Sequence, residues 1–110
     1  MAKPIDPQGA VESMWKLAPE YARARAERVY LEEFRKSKKA LLMAVCKDLP
    51  IGAQEREAYA HPEYIAHLAA LQTAIEREET LRWRLIACQT SVEVWRSQEA
   101  SNRNIDRSTA

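Results

Sequence analysis

Apolar residues recur along this chain at intervals of three and four, the spacing of a helix face and not of strand alternation. One line runs Ala22, Ala26, Tyr30, Phe34, Ser37, Leu41 and Val45, with intervals of four, four, four, three, four and four. A second runs Tyr64, Leu68, Leu71, Ile75, Glu78, Leu81, Leu85, Cys88, Val92 and Trp95, and Glu78 is its one charged member. The average interval of this second line is close to that of a coiled-coil seam. Neither proline nor glycine occurs after His61-Pro62. The pattern therefore predicts one helix over 62–104, about 60 Å long at ~1.5 Å rise per residue.

Proline, glycine and capping residues divide the rest. Asp6-Pro7 marks a helix start, with Asp as cap and Pro at the first helical position, where its missing N–H costs nothing. A short helix over 7–17 carries Val11, Met14 and Trp15. Pro19 is expected to interrupt it, because the residue before a proline is pushed out of the α region. A second helix is predicted over 19–48. Leu49-Pro50-Ile51-Gly52 is the strongest turn signal in the body of the chain. A short helix over 53–60 follows, and after 104 the apolar periodicity lapses into an expected frayed tail, 105–110. The expectation is a single all-α domain over 1–110: a long antiparallel helical hairpin with a short N-terminal helix, assembling into a helical bundle.

An antiparallel hairpin with equal rise in both arms pairs residues whose numbers sum to roughly 110. That register brings Trp15 towards Trp95, and Tyr30 and Phe34 towards the 75–81 stretch. It also keeps Cys46 and Cys88 too far apart for a disulfide. Residues 20–48 carry a net charge of +3 and residues 53–81 one of −4. Arg35, Lys36, Lys38 and Lys39 are thus expected opposite Glu76, Glu78 and Glu79, and Glu32 and Glu33 opposite Arg77 and Arg82. Exposed pairs of this kind add about 0–1 kcal/mol each; their larger effect is to disfavour wrong registers.

One segment exceeds what a lone hairpin needs. Trp83, Ala87 and Val94 lie nearly opposite the stripe Leu81–Leu85–Cys88–Val92–Trp95, with Ile86 between them. Two apolar faces on one helix imply burial on both. A second copy packing here as a four-helix bundle would bury them, so Trp83, Ile86, Ala87 and Val94 are the expected partner interface of a homodimer. The first helix folding over the same face is the alternative.

Composition adds exclusions. Charged residues are 30% of the chain and the formal net charge is only +1, which gives no global attraction to nucleic acid or anionic lipid. The longest apolar run, Ala40 to Cys46, is far below the ~20 residues of a membrane span. The N-terminal residues lack the apolar core of a signal peptide, and two widely spaced cysteines make neither a zinc site nor a disulfide framework. A cytoplasmic protein without a membrane partner is expected.

No motif specifies a reaction. His61 and His67 each follow a glutamate by four residues, Glu57 and Glu63, a pairing that suits local hydrogen bonding and capping near Pro62 better than metal binding. Glu76, Glu78 and Glu79 point in different directions on a helix. Nucleophile motifs and glycine-rich phosphate loops are absent. Accordingly no catalytic residue, cofactor or metal is expected. Basic side chains do collect at Arg35, Lys36 and Lys39, and again at Arg82, Arg84 and Arg96. Trp83 and Trp95 beside such arginines are candidates to stack bases while the arginines hold phosphates; packing tryptophans with snorkelling arginines is the stronger reading.

The stretches Tyr30-Leu-Glu-Glu-Phe-Arg-Lys-Ser-Lys-Lys-Ala-Leu-Leu-Met43, Arg56-Glu-Ala-Tyr-Ala-His-Pro-Glu-Tyr64 and Glu93-Val-Trp-Arg-Ser-Gln-Glu-Ala-Ser-Asn-Arg103 resemble a group of small uncharacterised helical proteins of bacteriophages and prophages. The resemblance covers roughly residues 21–107 and carries no functional residues across. It implies a bacterial cytoplasm and a place among phage genes for DNA replication or recombination. The expected function is that of a non-enzymatic helical interaction or adaptor protein with an unidentified protein partner. A direct nucleic-acid binder is the second expectation, and a small metal-dependent enzyme using the His and Glu residues the third.

Overall fold

A computed structural model describes residues 3–109; Met1, Ala2 and Ala110, the last residue of the expected tail, lie outside them. The fold is all-α, a long helical hairpin of three helices: α1 (Pro7–Val45), α2 (Ile51–Ala60) and α3 (Pro62–Thr109). Two compact units divide it, residues 22–79 and residues 3–21 with 80–109, so α1 and α3 each contribute to both.

The start of α1 follows the predicted chemistry, with Asp6 Oδ1 accepting the Gly9 N–H at 3.0 Å. The expected interruption at Pro19 does not occur, and the 7–17 and 19–48 helices are one. Proline removes one helical N–H and crowds the carbonyl four residues back. Here that carbonyl belongs to Trp15, itself 79% exposed, and Pro19 is exposed too. Water can serve the freed carbonyl on this side, so the helix tolerates the ring.

The helix ends earlier than expected, at Val45. Two tight backbone bonds, Cys46 N–H to Met43 O and Leu49 N–H to Cys46 O, carry the chain through the turn. Gln54 Nε2 donates back to the Leu49 carbonyl at 2.8 Å. Gly52 has no positive φ and sits inside the first turn of α2, which begins at Ile51 and not at 53. His61 adopts an extended conformation between α2 and α3 and accepts the Glu63 N–H on Nδ1, capping α3 with Pro62 at its first position. The expected frayed tail is helical to Thr109. Ser108 and Thr109 hydroxyls donate to carbonyls one turn back, and every residue from 96 to 109 is exposed.

Within residues 22–79, α3 turns inward a strict alternation of three and four: Tyr64, His67, Leu71, Ala74 and Glu78. The same phase continues along the helix as Leu81, Leu85, Cys88, Val92 and Trp95, all buried or half-buried. Leu68 and Ile75, expected in this line, are exposed, and His67 and Ala74 replace them. Alanine is favoured at such a position because it lets two backbones approach.

The correction to α1 is larger. Of the expected line, Ala22, Ala26, Tyr30, Ser37, Leu41 and Val45 are all exposed, and only Phe34 is half-buried. The inner line instead includes Ala24, Arg28, Leu31, Lys38 and Leu42. Arg28 and Lys38 bury their stems while their charged heads pair with α3. With these two counted as polar, the apparent apolar line falls one residue away from the true inner line at Leu31, Lys38 and Leu42.

The register shifts as well. Arg28 meets Glu78 and Lys38 meets Glu63, pairs summing to 106 and 101 against the expected ~110. The cause is α2, which folds against the end of α1, with Leu42, Ala58 and Tyr64 forming one buried cluster and Met43 packed on it. That places the start of α3 opposite Lys38. The basic cluster thus meets α2 and early α3, not residues 76–79: Lys38 pairs with Glu63 at 3.6 Å and Lys39 with Glu55 at 3.5 Å. Arg77 pairs with Glu27 at 3.9 Å, not with Glu32 or Glu33. Tyr30 stacks on Phe34, and Phe34 lies 5.9 Å from His67, well short of Ile75. No ring contact joins Trp15 to Trp95 among the described residues.

This assignment has a direct test. Leu41→Ser should change unfolding stability by no more than about 0.5 kcal/mol, the usual range for a surface site. Leu42→Ala should cost about 2–5 kcal/mol. Urea denaturation followed by circular dichroism compares the two; the reverse order would restore the original line.

Candidate interaction surfaces

In residues 3–21 and 80–109, the four expected interface residues separate by exposure. Trp83 is 59% exposed, Ala87 and Val94 are also exposed, and Ile86 is half-buried. Trp83, Ala87 and Val94 share one face of α3, and Ile105 continues it at helical spacing. Ile105 is exposed and had been consigned to the tail, so sequence reasoning missed it. Its only signal was the eleven-residue gap from Val94, three helical turns spanned by polar and small residues. Arg82 lies over the Trp83 ring with its guanidinium carbon 4.9 Å from the centroid, so a cation already occupies one face of this indole. Arg84 and Arg96 are exposed.

Residues 22–79 hold the other basic group. Arg35, Lys36 and Lys39 of α1 line one cleft with Tyr59 of α2 and Tyr64 of α3. The turn 46–50 and the short helix α2 bring the tyrosines there, which is why spacing along α1 gave no hint of them. Lys39 Nζ stands 4.7 Å from the Tyr59 ring centroid. Its ammonium is held above the ordinary lysine range, first by the Tyr59 side chain and then, against some desolvation, by Glu55. Tyr59 and Tyr64 meet edge to face, 5.3 Å between centroids.

The same unit contains the best-built polar contact of the described chain. Glu78 is 6% exposed and accepts from both Arg28 Nε, at 2.6 Å, and a terminal guanidinium nitrogen, at 2.9 Å. Glu32 takes a further Arg28 donor at 2.9 Å. The Glu78 bond, followed by that to Glu32, holds the guanidinium above its already high range. This is a forked pair with geometric specificity, and it accounts for the one charge in the predicted seam.

His67 is not paired with Glu63: its Nε2 lies 2.7 Å from the Leu31 carbonyl, as a donor in the tautomer protonated there. His61 is engaged as a cap. No group of three or more metal-ligating side chains occurs among the described residues. Cys46 and Cys88 are free thiols. No described helix is long and apolar enough to cross a membrane. Comparison with family models, curated proteins and solved structures finds no match to this chain.

Proposed function

We propose that this chain is a non-enzymatic helical interaction protein that self-associates, as a homodimer, and serves as an adaptor to a larger protein. The observation that supports this most directly is the face of α3 bearing Trp83, Ala87, Val94 and Ile105, which the chain leaves exposed. A large aromatic aligned with aliphatic residues is the composition of an interface centre, where tryptophan is enriched. The exposure of every residue from 96 to 109 adds to it, since helical stability in proteins comes mostly from packing. A partner helix would supply that packing in a helical bundle. The phage-like wording of the sequence suits an accessory factor in DNA replication or recombination, acting in a bacterial cytoplasm.

Direct nucleic-acid binding through Arg82, Arg84 and Arg96 is the weaker reading, because Arg82 already engages one face of the Trp83 ring and leaves a single face for a base.

Sedimentation equilibrium tests the proposal. The unmodified chain should sediment as a dimer at micromolar concentrations, and the double variant Trp83→Glu, Val94→Lys as a helical monomer. A well-folded monomer at high micromolar concentration would overturn self-association.

A further inference from the structure

The cleft between α1, α2 and α3 in residues 22–79 has a volume of about 450 Å³ and is lined by Arg35, Lys36, Lys39, Tyr59 and Tyr64. Every polar group of that lining can donate a hydrogen bond, and no carboxylate belongs to it. Arg35 makes no ion pair or hydrogen bond among the described residues, and its planar fork is free to meet an oxyanion. Lys36 engages Glu33 only at 3.8 Å, a loose exposed pair that an incoming anion can displace, while half-buried Lys39 is held at the cleft by Tyr59 and, at 3.5 Å, by Glu55.

Tyr64 supplies the most specific observation. The residue is 8% exposed, yet its hydroxyl makes no hydrogen bond among the described residues. No fully buried side-chain oxygen lacks a partner among the described residues, so this hydroxyl is reached by solvent, and Tyr64 is one of the residues that line the cleft. A tyrosine packed by its ring with its hydroxyl left unpaired is a preorganised donor. A carboxylate ligand offers two oxygens in a plane. The donors here come from three helices, which suits the tetrahedral oxygens of phosphate better.

We infer that this cleft binds the phosphate group of a phosphate ester, with Arg35 and the two lysines neutralising its charge and the Tyr59 and Tyr64 hydroxyls donating from the opposite walls. The inference does not depend on self-association, because none of these residues lies on the Trp83 face. The ester can be a small metabolite or a nucleic-acid strand, and the two sources differ in affinity and salt dependence.

The test is a titration of the full chain, labelled with nitrogen-15, with inorganic phosphate, adenosine 5′-monophosphate and a short single-stranded oligonucleotide. Saturable amide shifts should centre on residues 35, 36, 39, 59 and 64. Arg35→Ala and Tyr64→Phe should each weaken binding by about tenfold, the effect of losing one hydrogen bond to a charged group. Arg103→Ala removes the same charge in the other unit and should leave affinity unchanged. Circular dichroism confirms that each variant is folded, and Lys36→Ala, at an exposed site, replaces Tyr64→Phe if that variant is not. Equal affinity for the monophosphate and the oligonucleotide assigns a small ester. Tighter, steeply salt-dependent oligonucleotide binding assigns a strand. Shifts absent from the cleft with all three probes, or equal weakening by Arg103→Ala and Arg35→Ala, would overturn the inference.

Discussion

Leu71→Asp should abolish the folded state at room temperature. Leu71 is buried in the seam of α3, between His67 and Ala74 on the same helix face. The substitution removes about 1.5–3 kcal/mol of apolar burial. It also puts a carboxylate where water is scarce, which costs several kcal/mol more unless the group neutralises. Small domains have roughly 5–15 kcal/mol in total. This one buries few large side chains: among the described residues Leu42, Tyr64, Leu71 and Leu81 are the large apolar residues that are buried. Loss of far-ultraviolet helicity, or a much lower thermal midpoint, is the expected readout. Leu85→Asp should be milder, because Leu85 is only half-buried. A Leu71→Asp protein with native helicity and midpoint would refute the seam assignment.

The second large effect is expected at the Arg28–Glu78 pair. Arg28→Leu withdraws two donors, at 2.6 and 2.9 Å, from a carboxylate in a buried residue. Glu78 is buried while Arg28 is half-buried, so removing the guanidinium strips donors from a poorly solvated carboxylate and costs more than the pair contributes. Glu78→Leu with Arg28→Leu should recover most of that loss, since replacing both charges by apolar residues is often neutral or stabilising. Urea unfolding of the two variants measures the difference. If the double variant is no more stable than the single one, the pair is not the source of the penalty.

The double variant also asks what the pair is for. If it acts mainly on register, the Leu–Leu protein should be stable but less uniquely arranged, with broadened amide resonances around residues 24–31 and 74–78. Sharp resonances there would leave register to the other cross-helix contacts, Arg77–Glu27 and Lys38–Glu63.

How far the chain could be read in advance depended on the kind of residue concerned. Helix content, the Asp6 cap, the role of His61 before Pro62 and the seam from Leu81 to Trp95 were legible, because spacing and capping act within a turn or two of the chain. The inner face of α1 was not. Its line contains Arg28 and Lys38, whose apolar stems and charged heads serve two environments at once, while Tyr30, Leu41 and Val45 advertise a face that the hairpin does not use. At Pro19, a local rule about helix breaking gave way to solvent access on the exposed side.

The candidate surfaces divide in the same way. Trp83, Ala87 and Val94 were visible as a second apolar face because they share one helix. Arg35, Lys36 and Lys39 were visible as a basic run on another. Tyr59 and Tyr64 could not be joined to that run from the sequence, since the turn 46–50 and the placement of α2 decide which residues meet there. By itself the sequence determined the helices and their caps, through local backbone chemistry and the period of apolar residues. Only the tertiary structure decided rotation, register and the cleft, because those depend on which pairs of side chains separated in the chain bury surface and satisfy charge together.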